Sequence, residues 1–170
     1  MEEIKKFDLR KNTEEEYSIE RYAIRGVVFS HNKILLLKLT ETEEYKFPGG
    51  GVESGEDFQQ TLIRETLEET GYEVTEIGEC FGYIDQIYPD KYVQGEIFSL
   101  RSIYYSIKVS ENSTEPNLSK QEKELGFMPV WVTLDEAIKL NKIRLDKGST
   151  HHWTIRELYM LEYLKKKKGF

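Results

Sequence analysis

The stretch of sequence that decides the fold runs from Gly50 to Tyr72 and reads GGVESGEDFQQTLIRETLEETGY. Its second half predicts a helix with an acidic face, because at about 100° of rotation per residue three glutamates fall within roughly 100° of arc. The three are Glu65, Glu68 and Glu69. Ile63 and Leu67 point nearly the opposite way, so we expect one face of the helix to be acidic and the other to enter a core.

This acidic face needs positive charge from elsewhere. Like charges three or four residues apart destabilise a helix by about 0.2–0.5 kcal/mol per pair, and Arg64 is the only basic residue between Glu53 and Glu73. Hard cations such as Mg²⁺ bind carboxylates, waters and substrate phosphates, so carboxylates beside a glycine turn suit a phosphate-processing site. The competing interpretation is a solvated acidic face, which is what a charge run usually forms.

The spacing of the stretch resembles the Nudix box of the Nudix (MutT-like) hydrolase family. The box reads Gly, five residues, Glu, seven residues, Arg-Glu, an aliphatic residue, any residue, Glu-Glu, any residue, Gly and an aliphatic residue. The chain has the fixed identities at Gly50, Glu56, Arg64, Glu65, Glu68, Glu69 and Gly71. Thr66 and Tyr72 stand where the family has aliphatic residues. We interpret both as packing variants, with Thr66 at the core-side edge of the helix, away from the three glutamates.

The resemblance implies a Mg²⁺-dependent hydrolase, with Mn²⁺ as a substitute, that cleaves a diphosphate bond in a nucleoside diphosphate linked to a group X. The products are a nucleoside monophosphate and phosphorylated X. By the same resemblance, the metal ligands are the three glutamates and the backbone carbonyl of Gly50. Arg64 is expected to orient the glutamates by pairing with Glu56, and an arginine beside a carboxylate lowers its pKa.

The sequence leaves two candidate sources for the general base. Members of the family use either the first glutamate of the Arg-Glu pair, here Glu65, or a glutamate in a loop outside the box. The loop candidates in the polar stretch 111–124 are Glu115, Glu122 and Glu124.

The substrate is less defined by the sequence. ADP-ribose or another nucleotide sugar, a dinucleoside polyphosphate and a nucleoside triphosphate all remain candidates. The segment 81–92 carries aromatic residues, of which Tyr83 and Tyr88 are candidates for stacking on a base, although aromatics at strand spacing often form core. In some Nudix branches a proline near this offset accompanies ADP-ribose use and a tyrosine accompanies dinucleoside polyphosphates. Tyr88 and Pro89 are adjacent, so this signal does not discriminate.

Two other functional classes compete with a nucleotide diphosphatase. A non-catalytic Nudix-fold ligand sensor usually has a degraded box or an attached DNA-binding unit, and neither is evident in this sequence. A hydrolase of a non-nucleotide diphosphate is the other alternative. An inositol polyphosphate would favour a strongly basic pocket, which the acidic balance disfavours.

Composition limits the partners and the location. The 24 basic and 31 acidic side chains give a formal charge of −7, so a nucleic acid polymer is not an expected partner. The single Cys80 cannot form an internal disulfide and is expected to be buried. There is no apolar stretch of signal-peptide length at the amino terminus and no run of twenty apolar residues, so we expect a soluble cytoplasmic protein. A homodimer is also predicted, because many relatives of the family are homodimers.

For the chain of 170 residues we predict a charged amino-terminal arm, residues 1–17, and a single Nudix domain, residues 18–170. The arm is either a frayed tail or a segment that gains structure against the domain or a partner subunit. Tyr22–Ser30 and Lys33–Leu39 predict a strand hairpin around His31-Asn32, and the second strand, apolar on both faces, is typical of burial between layers.

The predicted elements after the hairpin complete an α/β plan. Ser54 and Asp57 fit a capping box for a helix over Asp57–Thr70. The later predictions are strands over 73–87, 96–110 and 128–132, a helix from Thr133 to about Leu140, and a helix over 150–168 that ends in lysines. His151 and His152 are interpreted as structural and His31 as a turn residue. The resemblance implies the Nudix fold, a mixed β-sheet sandwiched between α-helices.

Overall fold

Two β-sheets between helices form the centre of the computed structural model, which describes residues 1–10, 18–89, 96–149 and 151–168. The strands are β1 Glu3–Asp8, β2 Arg21–Val27, β3 Phe29–Ser30, β4 Lys33–Leu39, β5 Glu44–Lys46, β6 Val74–Pro89, β7 Ile97–Val109 and β8 Phe127–Thr133. The helices are α1 Phe58–Thr70, α2 Lys120–Glu124, α3 Leu134–Asp146 and α4 Trp153–Lys168.

The first sheet is mixed and has the strand order β1-β6-β7-β2. The long strands β6 and β7 are antiparallel, whereas β1 runs parallel to β6 and β2 parallel to β7. In the second sheet β4 pairs antiparallel with β3, β5 and β8. The predicted hairpin is present only in part: Phe29–Ser30 pairs with β4 across a turn that contains His31 at a positive φ of 55°. The rest of the predicted first strand is β2, which pairs with β7 in the first sheet.

Strand β4 lies between two hydrophobic cores, as its sequence predicted. Ile34 and Leu36 pack in one core with buried residues of α3 and α4, and the intervening Leu35 packs in another with Leu62 of α1. Alternate side chains of a strand point to opposite faces, so β4 must be apolar on both. The sheets are thus covered by α1 on one side and by α3 and α4 on the other, and the predicted α/β fold with a mixed sheet between helices is confirmed.

The short strand β5 is fixed by an amide from α3. The Asn141 side chain accepts a hydrogen bond from the Tyr45 backbone N–H at 2.7 Å and donates one to the Tyr45 carbonyl at 2.9 Å. The Tyr45 side chain is buried in the core with α3 and α4. Because both backbone groups of Tyr45 are satisfied by one side chain, β5 is held in a single register.

Helix α1 has the predicted length but a different cap and a different buried face. Its capping box is formed by Asp57 and Gln60, not by Ser54 and Asp57, and Gly71 ends it at a φ of 74°. Ile63 and Leu67 are exposed, so the prediction that they enter a core was wrong. The inward face instead carries Leu62, Thr66 and Glu69. Thr66 is buried as expected, but beside a glutamate and not away from all three.

Several other bounds differ from the prediction. Helix α3 extends to Asp146, the short helix α2 was not predicted, and Cys80 is half-buried where a buried thiol was expected. Residues Glu3–Asp8 of the predicted arm form β1, which pairs with β6, while residues 11–17 lie outside the described part. Residues 90–95, which include Tyr92 of the aromatic segment 81–92, and Thr150 also lie outside it. In the part of the chain that is described, no helix is long and apolar enough to cross a membrane.

Candidate active site

The glycine loop 49–51 lies against β2, directly below α1. The Gly50 carbonyl accepts a hydrogen bond from the Ile24 N–H at 2.9 Å, and the Val52 N–H donates to the Tyr22 carbonyl at 2.9 Å. Gly49 has a φ of 129°, which favours glycine, and a Cβ there would overlap the Ile24 carbonyl. A Cβ at Gly50 would overlap the Glu65 carboxylate. The glycines therefore let the loop fit between β2 and the acidic side of α1.

Arg64 is the centre of a cluster of carboxylates. Its Nε and Nη2 donate to the two oxygens of Glu56 at 2.6 and 2.9 Å, and its Nη1 donates to Glu65 Oε1 at 2.8 Å and Glu68 Oε2 at 3.2 Å. The hydrogen bonds from Arg64 hold the pKa of the Glu56 carboxyl at about 2. Arg64 therefore contacts Glu56, Glu65 and Glu68 at once, and its role in orienting the glutamates stays a prediction.

Glu69 is separated from this cluster and buried. Its Oε2 accepts the Gly49 N–H at 2.5 Å, and its Oε1 lies 3.6 Å from Lys46 Nζ. Burial raises the pKa of Glu69 to about 7, against the opposing attraction of Lys46 and the Gly49 hydrogen bond. These partners explain why the Glu69 side chain can face the interior, because they satisfy a carboxylate that would otherwise be costly to bury.

The acidic side of the site fits a hard divalent cation by charge and donor type. Four carboxylates, those of Glu53, Glu56, Glu65 and Glu68, lie within 4.0 Å of the single guanidinium of Arg64, an excess of three negative charges. Carboxylate and carbonyl oxygens are the donors that Mg²⁺ and Mn²⁺ prefer. In the arrangement seen here, no three acidic, histidine or cysteine side chains of the described residues converge at metal-binding distances. Glu65 and Glu68 are instead directed to Arg64, and Glu69 to Lys46.

The glycine loop and the inner end of α1 open into a cavity of about 560 Å³. Four cationic side chains line it, of which Arg21 lies beside Phe98. The other three, which we call the basic wall, are Arg25 of β2, Lys46 of β5 and Arg156 of α4. Burial lowers the pKa of Arg25, and repulsion from Arg156 acts in the same direction. Burial likewise lowers the pKa of Lys46, against the attraction of Glu69. Cations held this close together favour an anionic ligand.

Arg156 is held in place by a buried network. It is 2% exposed, its Nη1 donates to Gln86 Oε1 at 2.8 Å, and its Nε donates to Glu157 Oε1 at 3.1 Å. The other oxygen of Glu157 accepts the Phe47 N–H at 3.0 Å. Arg156 is thus a fixed cation at the cavity, since both side chains that it contacts are themselves buried.

A row of rings forms a second wall, which we call the aromatic shelf. The Tyr88 ring stacks on Phe98 at 4.9 Å and on His152 at 4.5 Å between centroids, and all three line the cavity. The Arg21 guanidinium lies 5.0 Å from the Phe98 ring centroid. Of the two tyrosines predicted to bind substrate, Tyr88 therefore lines the cavity.

Tyr83 does not line this cavity. It packs against the core beneath α1, and the Arg101 guanidinium lies 3.7 Å from its ring centroid. Tyr83 and Tyr88 are an odd number of residues apart on β6, so their side chains point to opposite faces of the sheet.

The three loop glutamates are placed differently from one another. Glu122 lines the cavity, and a capping box with Ser119 at the start of α2 holds it there. Glu115 is exposed and does not line the cavity, and Glu124 is exposed and lies 3.8 Å from Lys120. Of the predicted alternative bases, only Glu122 is brought to the site.

Sequence reasoning missed the basic wall and the cavity position of the two histidines. Signals for the wall were present: Arg25 interrupts an apolar strand, and Arg156 interrupts the apolar repeat of the last helix. A charge in a buried run is a candidate functional residue, because it is costly unless paired. His151 and His152, interpreted as structural, both line the cavity.

Comparison with known proteins identifies the family. The NUDIX domain pattern matches residues 20–154. An ADP-ribose pyrophosphatase of Methanocaldococcus jannaschii is 33% identical over 100 residues, which cover 57% of this chain and 56% of the relative. The matched part thus spans about half the length of that relative.

Solved structures show the same fold. A NUDIX hydrolase from Nitrosomonas europaea has a TM-score of 0.58 at 18% identity, and the match covers 86% of this chain and 90% of that hydrolase. A MutT NUDIX hydrolase from Burkholderia pseudomallei has a TM-score of 0.50 at 21% identity, and the match covers 68% of this chain and 84% of that hydrolase. The domain match extends over well more than half of the sequence, from before β2 to the first residues of α4, and the chain therefore belongs to the Nudix hydrolase family.

Proposed function

We propose that this protein is a metal-dependent hydrolase that cleaves the diphosphate bond of a nucleoside diphosphate linked to a group X. ADP-ribose or a similar nucleotide sugar is the leading substrate class, because the Methanocaldococcus jannaschii relative is named an ADP-ribose pyrophosphatase. The observation that carries the proposal is that one cavity joins Glu65 and Glu69 of α1 to the basic wall, whereas Glu68 does not line it. Such a cavity offers carboxylates for a cation and cations for phosphate.

The metal would be held by Glu65, Glu68, Glu69 and the Gly50 carbonyl, with Mg²⁺ as the proposed ion and Mn²⁺ as a substitute. When bound, such a cation supplies Lewis-acid activation of water and neutralises phosphate charge. Arg64, fixed by Glu56, holds the carboxylates of Glu65 and Glu68 by hydrogen bonds. Glu65 accepts the proton of the attacking water, and Glu122 is the alternative base because it also lines the cavity.

The basic wall binds the diphosphate, and the aromatic shelf binds the base. Arg25, Lys46 and Arg156 come from three different elements, so a diphosphate among them is contacted from several sides. Guanidinium groups match phosphate oxygens in geometry. Tyr88 and Phe98 offer stacked rings at the cavity wall, which suits a planar base.

The rest of the proposal concerns organisation and location. We propose that residues 18–170 are the single Nudix domain. Glu3–Asp8 of the preceding arm pairs with β6 as strand β1 of the first sheet. We further propose a cytoplasmic protein that forms a homodimer and binds small nucleotides but no nucleic acid polymer. Gel filtration showing a strictly monomeric active enzyme would remove the dimer.

The proposal is tested by phosphate release, coupled to alkaline phosphatase, from ADP-ribose, nucleotide sugars, dinucleoside polyphosphates and nucleoside triphosphates. Each substrate is measured with Mg²⁺, with Mn²⁺ and with EDTA. The expected result is hydrolysis of ADP-ribose or a nucleotide sugar that EDTA abolishes. No release from any substrate by folded protein would contradict the proposal and favour a ligand sensor or a non-nucleotide diphosphatase.

A further inference from the structure

A histidine at the cavity is oriented by a buried carboxylate. His151 Nδ1 contacts Glu44 Oε1, and Glu44 is 0% exposed. The other Glu44 oxygen accepts the Thr154 hydroxyl at 2.6 Å, and the Thr42 hydroxyl donates to Oε1 at 2.8 Å. No hydrogen bond from His151 Nε2 to another described residue is found. With Nδ1 directed to Glu44, Nε2 is the ring nitrogen that can serve a ligand.

The dyad of His151 and Glu44 shares a strand and a cavity with the proposed metal site. Glu44 and Lys46 are two residues apart on β5, so their side chains leave the same face of the strand. Glu44 binds His151, and Lys46 pairs with Glu69. The His151 ring also stacks on Trp153 at 4.2 Å between centroids, and both rings line the cavity that contains Glu65 and Glu69. One strand therefore carries the partner of His151 and the partner of Glu69, and both of these residues line the same cavity.

A purely structural role does not explain this arrangement well. A buried ion pair is weak evidence for stability, because removing the charges from water costs about as much as their attraction returns. Glu44 is fully enclosed, yet its partner His151 stays at the cavity surface with 17% of its side chain exposed. A carboxylate behind an imidazole fixes the ring and stabilises its protonated form when that form is needed.

We propose that His151 is a catalytic acid of the reaction given under Proposed function, and that Glu44 is its positioning residue. Water attacks the phosphorus of the nucleotidyl group, and its proton passes to Glu65. The bond from this phosphorus to the bridging oxygen breaks, and the electron pair stays on the bridging oxygen. That oxygen takes the Nε2 proton of the imidazolium form of His151, which leaves a neutral ring with its proton on Nδ1, and departs as phosphorylated X. Exchange with solvent then returns a proton to His151 and removes one from Glu65.

The test compares two leaving groups. The diphosphate substrate is the one that the wild-type enzyme hydrolyses, and the second substrate is a p-nitrophenyl ester of a nucleoside 5′-monophosphate, whose nitrophenolate leaves without a proton. For His151→Gln, kcat on the diphosphate should fall about 100-fold, whereas kcat on the ester should stay within about threefold. His31→Asn is the matched control, because His31 lies in the exposed hairpin turn and asparagine tolerates its positive φ.

An equal loss on both substrates would overturn the proposal, since that is the result of a damaged site. An unchanged kcat on the diphosphate would overturn it as well. If wild-type protein hydrolyses no substrate of the panel, the proposed function itself fails, which is a distinct result from an active wild type with an unaffected variant.

The positioning role of Glu44 is measured without turnover. Imidazole ¹⁵N shifts of the neutral ring should place the proton of His151 on Nδ1 in the wild type and in Glu44→Asp. In Glu44→Gln the neutral ring should no longer prefer the proton on Nδ1. The same variant should lose kcat on the diphosphate but not on the ester. A neutral ring with its proton on Nε2 in the wild type would overturn the assignment, whatever the activity.

Discussion

The acidic face of α1 and the basic wall of the same cavity are built in different ways. The glutamates and Arg64 lie within one helix and its preceding loop, at spacings that the sequence displays directly. The wall takes Arg25, Lys46 and Arg156 from β2, β5 and α4. One half of the site is thus a local motif, whereas the other half exists only after the sheets and the last helix have packed. The four predictions that follow test this division, beginning with the largest expected effect.

Glu69→Gln should reduce kcat about 10³-fold while the protein stays folded, because glutamine keeps the size of the side chain and removes a metal-binding charge. The measurement is kcat at saturating Mg²⁺, with a thermal melt by circular dichroism to check folding. Glu111→Gln, at an exposed position, is the control. Unimpaired turnover in Glu69→Gln would mean that the metal site is placed wrongly.

Arg25→Met should raise KM for the diphosphate substrate about 30-fold with a smaller change in kcat, since a charge-assisted contact to phosphate contributes about 2 kcal/mol. Steady-state kinetics measures this change. Lys108→Met removes an exposed cation and should leave KM unchanged. If both variants behave alike, the wall does not contact substrate.

Tyr88→Leu should raise KM about tenfold, because stacking of a base on an aromatic ring is worth about 1–3 kcal/mol. Tyr83→Leu should instead lower the melting temperature and leave KM near the wild-type value, since Tyr83 packs in the core beneath α1. If instead Tyr83→Leu raised KM and Tyr88→Leu lowered only the melting temperature, Tyr83 would be the residue that binds the base, and the aromatic shelf would not bind it.

Ile63→Ala should change the free energy of unfolding by less than about 0.5 kcal/mol, as expected of an exposed side chain. Leu62→Ala, one residue earlier, should cost about 2–5 kcal/mol, because Leu62 is 0% exposed. Urea denaturation measures both. A large loss in Ile63→Ala would restore the apolar face that the sequence predicted and contradict the inward position of Glu69.

The site could be predicted from sequence only where its residues are local. The box spacing identified the family, the limits of α1 and the pairing of Arg64 with carboxylates, because each depends on neighbouring residues. The buried strand β4 was also predictable from its continuous apolar run. The buried face of α1 was not, because Glu69 turns inward to meet Lys46 and the Gly49 N–H, which come from outside the helix. His151 was missed for the same reason: its partner Glu44 is 107 residues away in the chain.

The amide clamp of Asn141 on Tyr45 has a consequence for mutations far from the cavity. A slip of β5 by one residue would turn Tyr45 toward the cavity and move Glu44 and Lys46 away from His151 and Glu69 together. Asn141 lies on α3, none of whose described residues lines the cavity. Loss of this one amide would therefore misalign both ends of a three-residue strand at once. A substitution of Asn141 on α3 would then disturb two separate contacts in one activity assay, that of Glu44 with His151 and that of Lys46 with Glu69.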